Sequence, residues 1–152
     1  MARTLPPETP KLAANSLRRL SGVVLLVEDD LSVRTVTRRM MEMRGLTVLL
    51  AETPEEGLRL ATHCPHPLEV LLTDVQLPEM EGPELAARIR SLHPNVKVVY
   101  ISGYAREENL FCSPDDDDAE YLQKPFTQSA LTEILARALG QTGNQPQDEP
   151  KP

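Results

Sequence analysis

The chain has 152 residues, the length of one domain with short extensions. It is 40% hydrophobic but only 3% aromatic, with no Trp, so a core can be buried and must be aliphatic. With 16 Lys plus Arg against 23 Asp plus Glu, the net charge of −7 argues against nucleic acid or an anionic membrane as the main partner.

Several other classes are excluded as well. Cys64 and Cys112 are too few for a disulfide framework, and no export signal stands at the N-terminus, so a cytoplasmic protein is expected. The longest aliphatic run, Val23 to Val27, has a strand's length and falls far short of a membrane span. No Gly-rich phosphate loop is present. His63, Cys64 and His66 are interrupted by Pro65 and Pro67 and read as a helix end and turn, not a zinc site.

Pro6, Pro7 and Pro10 mark residues 1–21 as a flexible extension or linker. Leu12, Leu17 and Leu20 could form a short helix there. Val23 to Val27 is an unbroken apolar run, as expected of a strand covered on both faces. Val33, Val36, Met40 and Met43 then recur at helical spacing, which makes them core, and Gly45 stops the helix.

Leu46 to Ala51 predicts a second strand, and Pro54 to Thr62 a helix capped by Thr53 with Pro54 at its first position. Leu68 to Thr73 is a third strand, followed by a helix over Pro83 to Leu92 with Leu85, Ile89 and Leu92 on one face. Val96 to Ile101 is a fourth strand, and a short helix is predicted over Ala105 to Cys112, cut off by Pro114. Asp115 to Asp118 form an acidic loop before a fifth strand, Glu120 to Gln123. A last helix covers Thr127 to Leu139, with Leu131, Leu135 and Ala138 inward, and residues 140–152 read as a disordered tail. Five strands alternating with five helices predict an α/β fold with a doubly wound parallel sheet.

In such sheets, ligands bind beyond the carboxyl ends of the strands. The residues that gather there are Glu28, Asp29 and Asp30 after strand one, Asp74 after strand three, Ser102 after strand four and Lys124 after strand five. Packed carboxylates repel one another, and a hard divalent ion such as Mg²⁺ resolves the conflict. Asp74, at the middle strand, is placed to attack phosphorus and form an aspartyl phosphate. The metal, Lys124 and the Ser102 hydroxyl would stabilise the charge on the transferring phosphoryl oxygens. Asp30 reads best as the cap of the following helix.

The segments VLLVEDD at 23–29, LLTDVQLPEMEG at 71–82, VVYISGY at 98–104 and YLQKPF at 121–126 together resemble the receiver domain of two-component response regulators, over residues 22–139. The resemblance implies a flavodoxin-like fold with strand order 2-1-3-4-5. It implies Mg²⁺ bound by Asp29 directly, by Glu28 through water, by Asp74 and by the backbone carbonyl of Gln76. It implies Asp74 as phosphoacceptor, Lys124 as phosphate-binding lysine ahead of a cis Pro125, Ser102 as switch hydroxyl and Tyr121 as switch aromatic. The output face would comprise the helix near 105–112, the strand at 120–123 and the helix at 127–139.

The implied partners are a histidine kinase or phosphotransfer domain as donor and an unidentified downstream protein. The expected state is a monomer or weak dimer without nucleic acid or membrane insertion. Both a stand-alone receiver and the C-terminal receiver of a hybrid histidine kinase fit the wording around Ser102-Gly103 and Leu122 to Phe126. A haloacid-dehalogenase-type phosphohydrolase is an alternative, but it needs a second Asp where Gln76 stands. An interaction module that is never phosphorylated is another, yet no acid, phosphoacceptor or lysine is missing.

Overall fold

A computed structural model describes residues 19–103 and 119–141. The short helix expected at 105–112, the Asp115 to Asp118 loop, residues 1–18 and residues 142–152 lie outside the described residues. In chain order the elements are β1 (Val23–Val27), α1 (Leu31–Met43), β2 (Thr47–Ala51), α2 (Pro54–Thr62), β3 (Val70–Asp74), α3 (Gly82–Leu92), β4 (Lys97–Ser102), β5 (Glu120–Gln123) and α4 (Gln128–Leu139). All strand pairs are parallel, in the order β2-β1-β3-β4-β5.

Burial along the strands explains this order. β3 is buried throughout and β1 and β4 nearly so, whereas β2 and β5 are partly exposed, as expected of central strands covered on both faces and of edges. Alternate residues of the central strands feed two cores. Val24, Leu26, Val70, Leu72, Val99 and Ile101 pack with Met41 of α1 and Leu131, Ile134 and Leu135 of α4. Leu25, Val27, Leu71, Val98 and Tyr100 pack with Ala61 of α2 and Leu85, Ala86 and Ile89 of α3.

The helix ends follow local chemistry. Asp30, Thr53 and Thr127 each accept a backbone N–H three residues on, which satisfies a donor that the first helical turn leaves unpaired. Gly140 ends α4 in the left-handed conformation, φ 71°.

Two helix faces differ from the periodicity. On α1, Val36 and Met43 are 50% and 58% exposed, while Thr37 and Met41 are buried. Polar residues occupy inward positions there: Arg44, just past the helix, is buried and its Nε donates to Thr132 Oγ1 of α4 at 3.2 Å. The inward stripe is therefore rotated from the one traced by the apolar residues. Leu92, the last residue of α3, is also largely exposed. Leu20 lies in the core, with its N–H donating to the Arg44 carbonyl at 2.7 Å.

Candidate functional site

β1 and β3 end side by side, in register through Val27 and Thr73, so the residues that follow them are neighbours at one edge of the sheet. Glu28 is fully buried, and its N–H donates to the Ala51 carbonyl at 3.1 Å, one step beyond the β1–β2 ladder. Its Oε2 accepts from the Asp30 N–H at 3.0 Å, while Asp30 Oδ1 accepts from the Val33 N–H at 3.0 Å to cap α1. Asp30 is thus occupied as a cap.

Asp74, the last residue of β3, is 6% exposed, and its backbone carbonyl accepts from Thr73 Oγ1 at 3.1 Å. The loop after it folds back, with the Gly82 N–H donating to the Val75 carbonyl at 2.6 Å. A Cβ on Gly82 would collide with the Asp74 carbonyl oxygen, so this close approach requires glycine. Gln76 lies on that loop and is exposed.

Lys124 enters from the end of β5. Its N–H donates to the Ser102 carbonyl at 2.8 Å, and the Lys124–Pro125 bond is cis. Its Nζ lies 3.3 Å from Asp74 Oδ1 and 3.5 Å from Glu28 Oε1. Ser102 is buried at the end of β4 and pairs with Gln123. Tyr121 pairs with the buried Tyr100, and their rings are 5.3 Å apart at 34°.

Glu28, Asp29 and Asp74 offer carboxylate oxygens within 4.8 Å of one another, Asp29 being the exposed member. Three carboxylates gather here, and Lys124 pairs with two of them, Asp74 and Glu28. Burial raises the Asp74 carboxyl, and the hydrogen bond and charge of Glu28 raise it further, up to about 8, although Lys124 pulls it down. At Lys124, burial acts to lower the ammonium, but attraction to Asp74 and then Glu28 prevails and holds it above its ordinary value. The excess negative charge calls for a proton or a cation. Glu28 Oε1 is buried and takes no hydrogen bond, an expensive state unless something else binds it. An all-oxygen donor set with such an orphaned atom fits a hard divalent cation.

The structure brings Glu28, Asp29, Asp74 and Lys124 together, with Ser102 joined to Lys124 through the backbone. Tyr121 stands two register pairs back from Ser102–Gln123, against Tyr100. Two further residues act here without a sequence signal of their own role. Gly82 permits the loop to close on Asp74, and Arg34 Nη1 donates to the Glu28 carbonyl at 2.8 Å.

Among the described residues, no helix is long and apolar enough to cross a membrane. The response regulator receiver domain family matches residues 24–136. The response regulator receiver protein CpdR of Brucella abortus is 34% identical over 119 residues, which cover 76% of this chain and 95% of CpdR. The sensor kinase CckA of the same organism is also 34% identical over 119 residues, 78% of this chain. The chain spans 13% of the length of CckA and 28% of that of the regulator FleR of Pseudomonas aeruginosa. The crystal structure of the receiver domain from the hybrid histidine kinase CckA superposes with a TM-score of 0.67 at 31% identity, covering 78% of this chain and 99% of that domain. These matches favour neither a phosphohydrolase nor a silent interaction module. A family match over most of the chain agrees with the acidic, lysine-bearing sheet edge, and the chain belongs to the response regulator receiver domains, the phosphoacceptors of two-component systems.

Proposed function

We propose that Asp74 accepts the phosphoryl group, with Glu28, Asp29, Asp74 and the Gln76 backbone carbonyl holding Mg²⁺. The observation that carries this reading is Lys124 Nζ, set between Asp74 Oδ1 at 3.3 Å and Glu28 Oε1, which takes no hydrogen bond, at 3.5 Å. Bound Mg²⁺ would supply the positive charge that lets an anionic phosphoryl group approach an anionic pocket.

The residues of the chain do the rest. A carboxylate oxygen of Asp74 forms a bond to phosphorus while the bond from phosphorus to a donor histidine nitrogen breaks, and the leaving imidazole takes up a proton. The Lys124 ammonium then pairs with the phosphoryl oxygens, and the Ser102 hydroxyl donates to them. Ser102 and Tyr100 stand two residues apart on one strand and so face the same side, as do their register partners Gln123 and Tyr121. Movement of Ser102 toward Asp74 opens space beside the Tyr100–Tyr121 pair, and Tyr121 repacks into it. That converts a charge event into a change at β5 and α4.

The receiver unit is assigned to residues 22–139, with residues 1–21 as an extension or linker and 140–152 as a tail. The donor is a histidine kinase or a phosphotransfer domain, and the domain's own chemistry is limited to gaining and losing its phosphoryl group. We place the domain in the cytoplasm as a monomer or weak dimer.

Intact-mass measurement after incubation with acetyl phosphate and Mg²⁺ tests the acceptor. The wild-type chain is expected to gain one phosphoryl group that hydroxylamine removes, and Asp74→Asn is expected to gain none. A phosphorylated Asp74→Asn chain would refute the assignment.

A further inference from the structure

Glu28 is constrained group by group, each time from a different part of the fold. Its N–H is held by the Ala51 carbonyl of β2, and its Oε2 by the Asp30 N–H. Its Oε1 faces Lys124 and takes no hydrogen bond. The backbone carbonyl remains. It lies beyond the last β1–β3 register pair, in a residue with no exposed surface, so neither the ladder nor bulk water serves it. Its donor is Arg34 Nη1, at 2.8 Å, reaching back along the first turn of α1. The Arg34 N–H itself donates to the Asp30 carbonyl at 2.9 Å, so the base of this side chain is fixed in the turn it braces.

We propose that Arg34 is a positioning residue for the acidic cluster. By holding the peptide group between Glu28 and Asp29, its guanidinium sets the direction in which both carboxylates leave the backbone. A metal site tolerates only small errors in the placement of its ligands, so a hinge shared by two of them is a sensitive point. The inference rests on the metal reading of the site given above.

The charge of Arg34 predicts the opposite of its hydrogen bond. As a positive charge beside the cluster, it repels a divalent cation, and removing it would tighten binding. As a brace, its removal loosens the ligands and weakens binding. The sign of the change separates the two roles.

The test is calorimetric titration of the full chain with Mg²⁺, together with thermal unfolding in the absence of Mg²⁺. Arg34→Met keeps most of the aliphatic stem and loses the donor, and it is expected to weaken Mg²⁺ binding by about tenfold or more, as loss of a bracing partner around a metal typically does. Arg34→Gln restores an N–H donor without the charge and is expected to recover affinity. Unchanged or tighter binding by Arg34→Met overturns the proposal, and so does weakening that Arg34→Gln fails to recover. If Arg34→Met does not fold, Arg34→Ala, a strong helix former that also lacks both donor and charge, decides: weaker binding supports the brace, and unchanged or tighter binding overturns it. If the wild-type chain takes up no Mg²⁺, the metal reading fails first and this proposal with it, whereas the Asp74 mass assay judges the acceptor separately.

Discussion

Replacing Asp74 by Asn removes a charge that the metal-free fold holds at a cost. At an effective dielectric near 20, unit charges about 4 Å apart interact by about 4 kcal/mol, so repulsion from Glu28 and attraction to Lys124 are of similar size. Burial then decides, against the charged form, and the carboxyl rises from 3.8 to about 8. A raised acid sets the sign of the pH dependence. Between about 3.8 and about 8 the folded chain holds a proton that the unfolded chain has lost, so stability falls as pH rises through that window. At about 1.4 kcal/mol per pH unit the limit is on the order of 5 kcal/mol. The part of that window above about pH 6 spans about 2 pH units, so the loss expected there is about 2–3 kcal/mol.

Urea denaturation with a chelator, at about pH 6 and about pH 8.5, measures it. Wild type should lose that much between the two conditions, whereas Asp74→Asn should show a flatter profile and exceed wild type at the higher pH. Mg²⁺ at a hundredfold excess over its Kd should return about 2.7 kcal/mol to wild type. A wild-type profile that is flat, or an Asp74→Asn chain less stable than wild type at the higher pH, would refute the reasoning.

Other substitutions test the frame around the site. Gly82→Ala places a methyl against the Asp74 carbonyl and 3.1 Å from the Val75 Cα, neither of which can yield as a side-chain end would. It should cost about 1–3 kcal/mol in thermal unfolding and slow phosphoryl uptake from acetyl phosphate; normal values for both would sink the claim of close packing. His93 Nδ1 accepts from the Leu68 N–H at 3.1 Å, so Nε2 carries the proton that is donated to the Ala61 carbonyl at 2.9 Å. His93→Ala leaves both groups without this partner and should cost about 1–3 kcal/mol, with faster hydrogen exchange at the Leu68 amide. Tyr100→Ala empties a fully buried position and should cost about 3–5 kcal/mol in urea denaturation.

The central strands and the residues at their ends were legible because both leave marks in the sequence. Val24 to Val27 and Val70 to Thr73 are buried and apolar or β-branched, and the acids directly after them break each run abruptly. The inward face of α1 was not legible, because it is decided at a distance. Arg44 is admitted to the interior by Thr132, 88 residues away, and Val36 turns outward as a consequence of the same rotation. Arg34 was equally hidden, since a side chain that bonds a backbone carbonyl leaves no motif. Leu20 joins the core from a segment whose prolines and basic residues suggest only a linker. The helix expected at 105–112 and the acidic loop at 115–118 lie outside the described residues.

The backbone also indicates where a change at Asp74 can travel. Toward β2, the acidic turn is tied by one hydrogen bond, Glu28 N–H to the Ala51 carbonyl, and nothing in the proposed switch lies beyond it. Toward β5 the connections are closer. The Val75 N–H donates to the Ile101 carbonyl at 3.0 Å, and the Lys124 N–H to the Ser102 carbonyl at 2.8 Å, so the ends of β3, β4 and β5 are joined in sequence. The lysine that pairs with Asp74 and the serine proposed to move toward it thus share one backbone link, and the Tyr100–Tyr121 contact lies two residue pairs back along the same strands. A shift of Ser102 cannot occur without acting on that link, and β5, partly exposed at the sheet edge, resists least. The cores on both faces of β1 and β3 hold the remaining strands, so the response to phosphorylation should emerge at β5 and α4 and leave the β2 edge still.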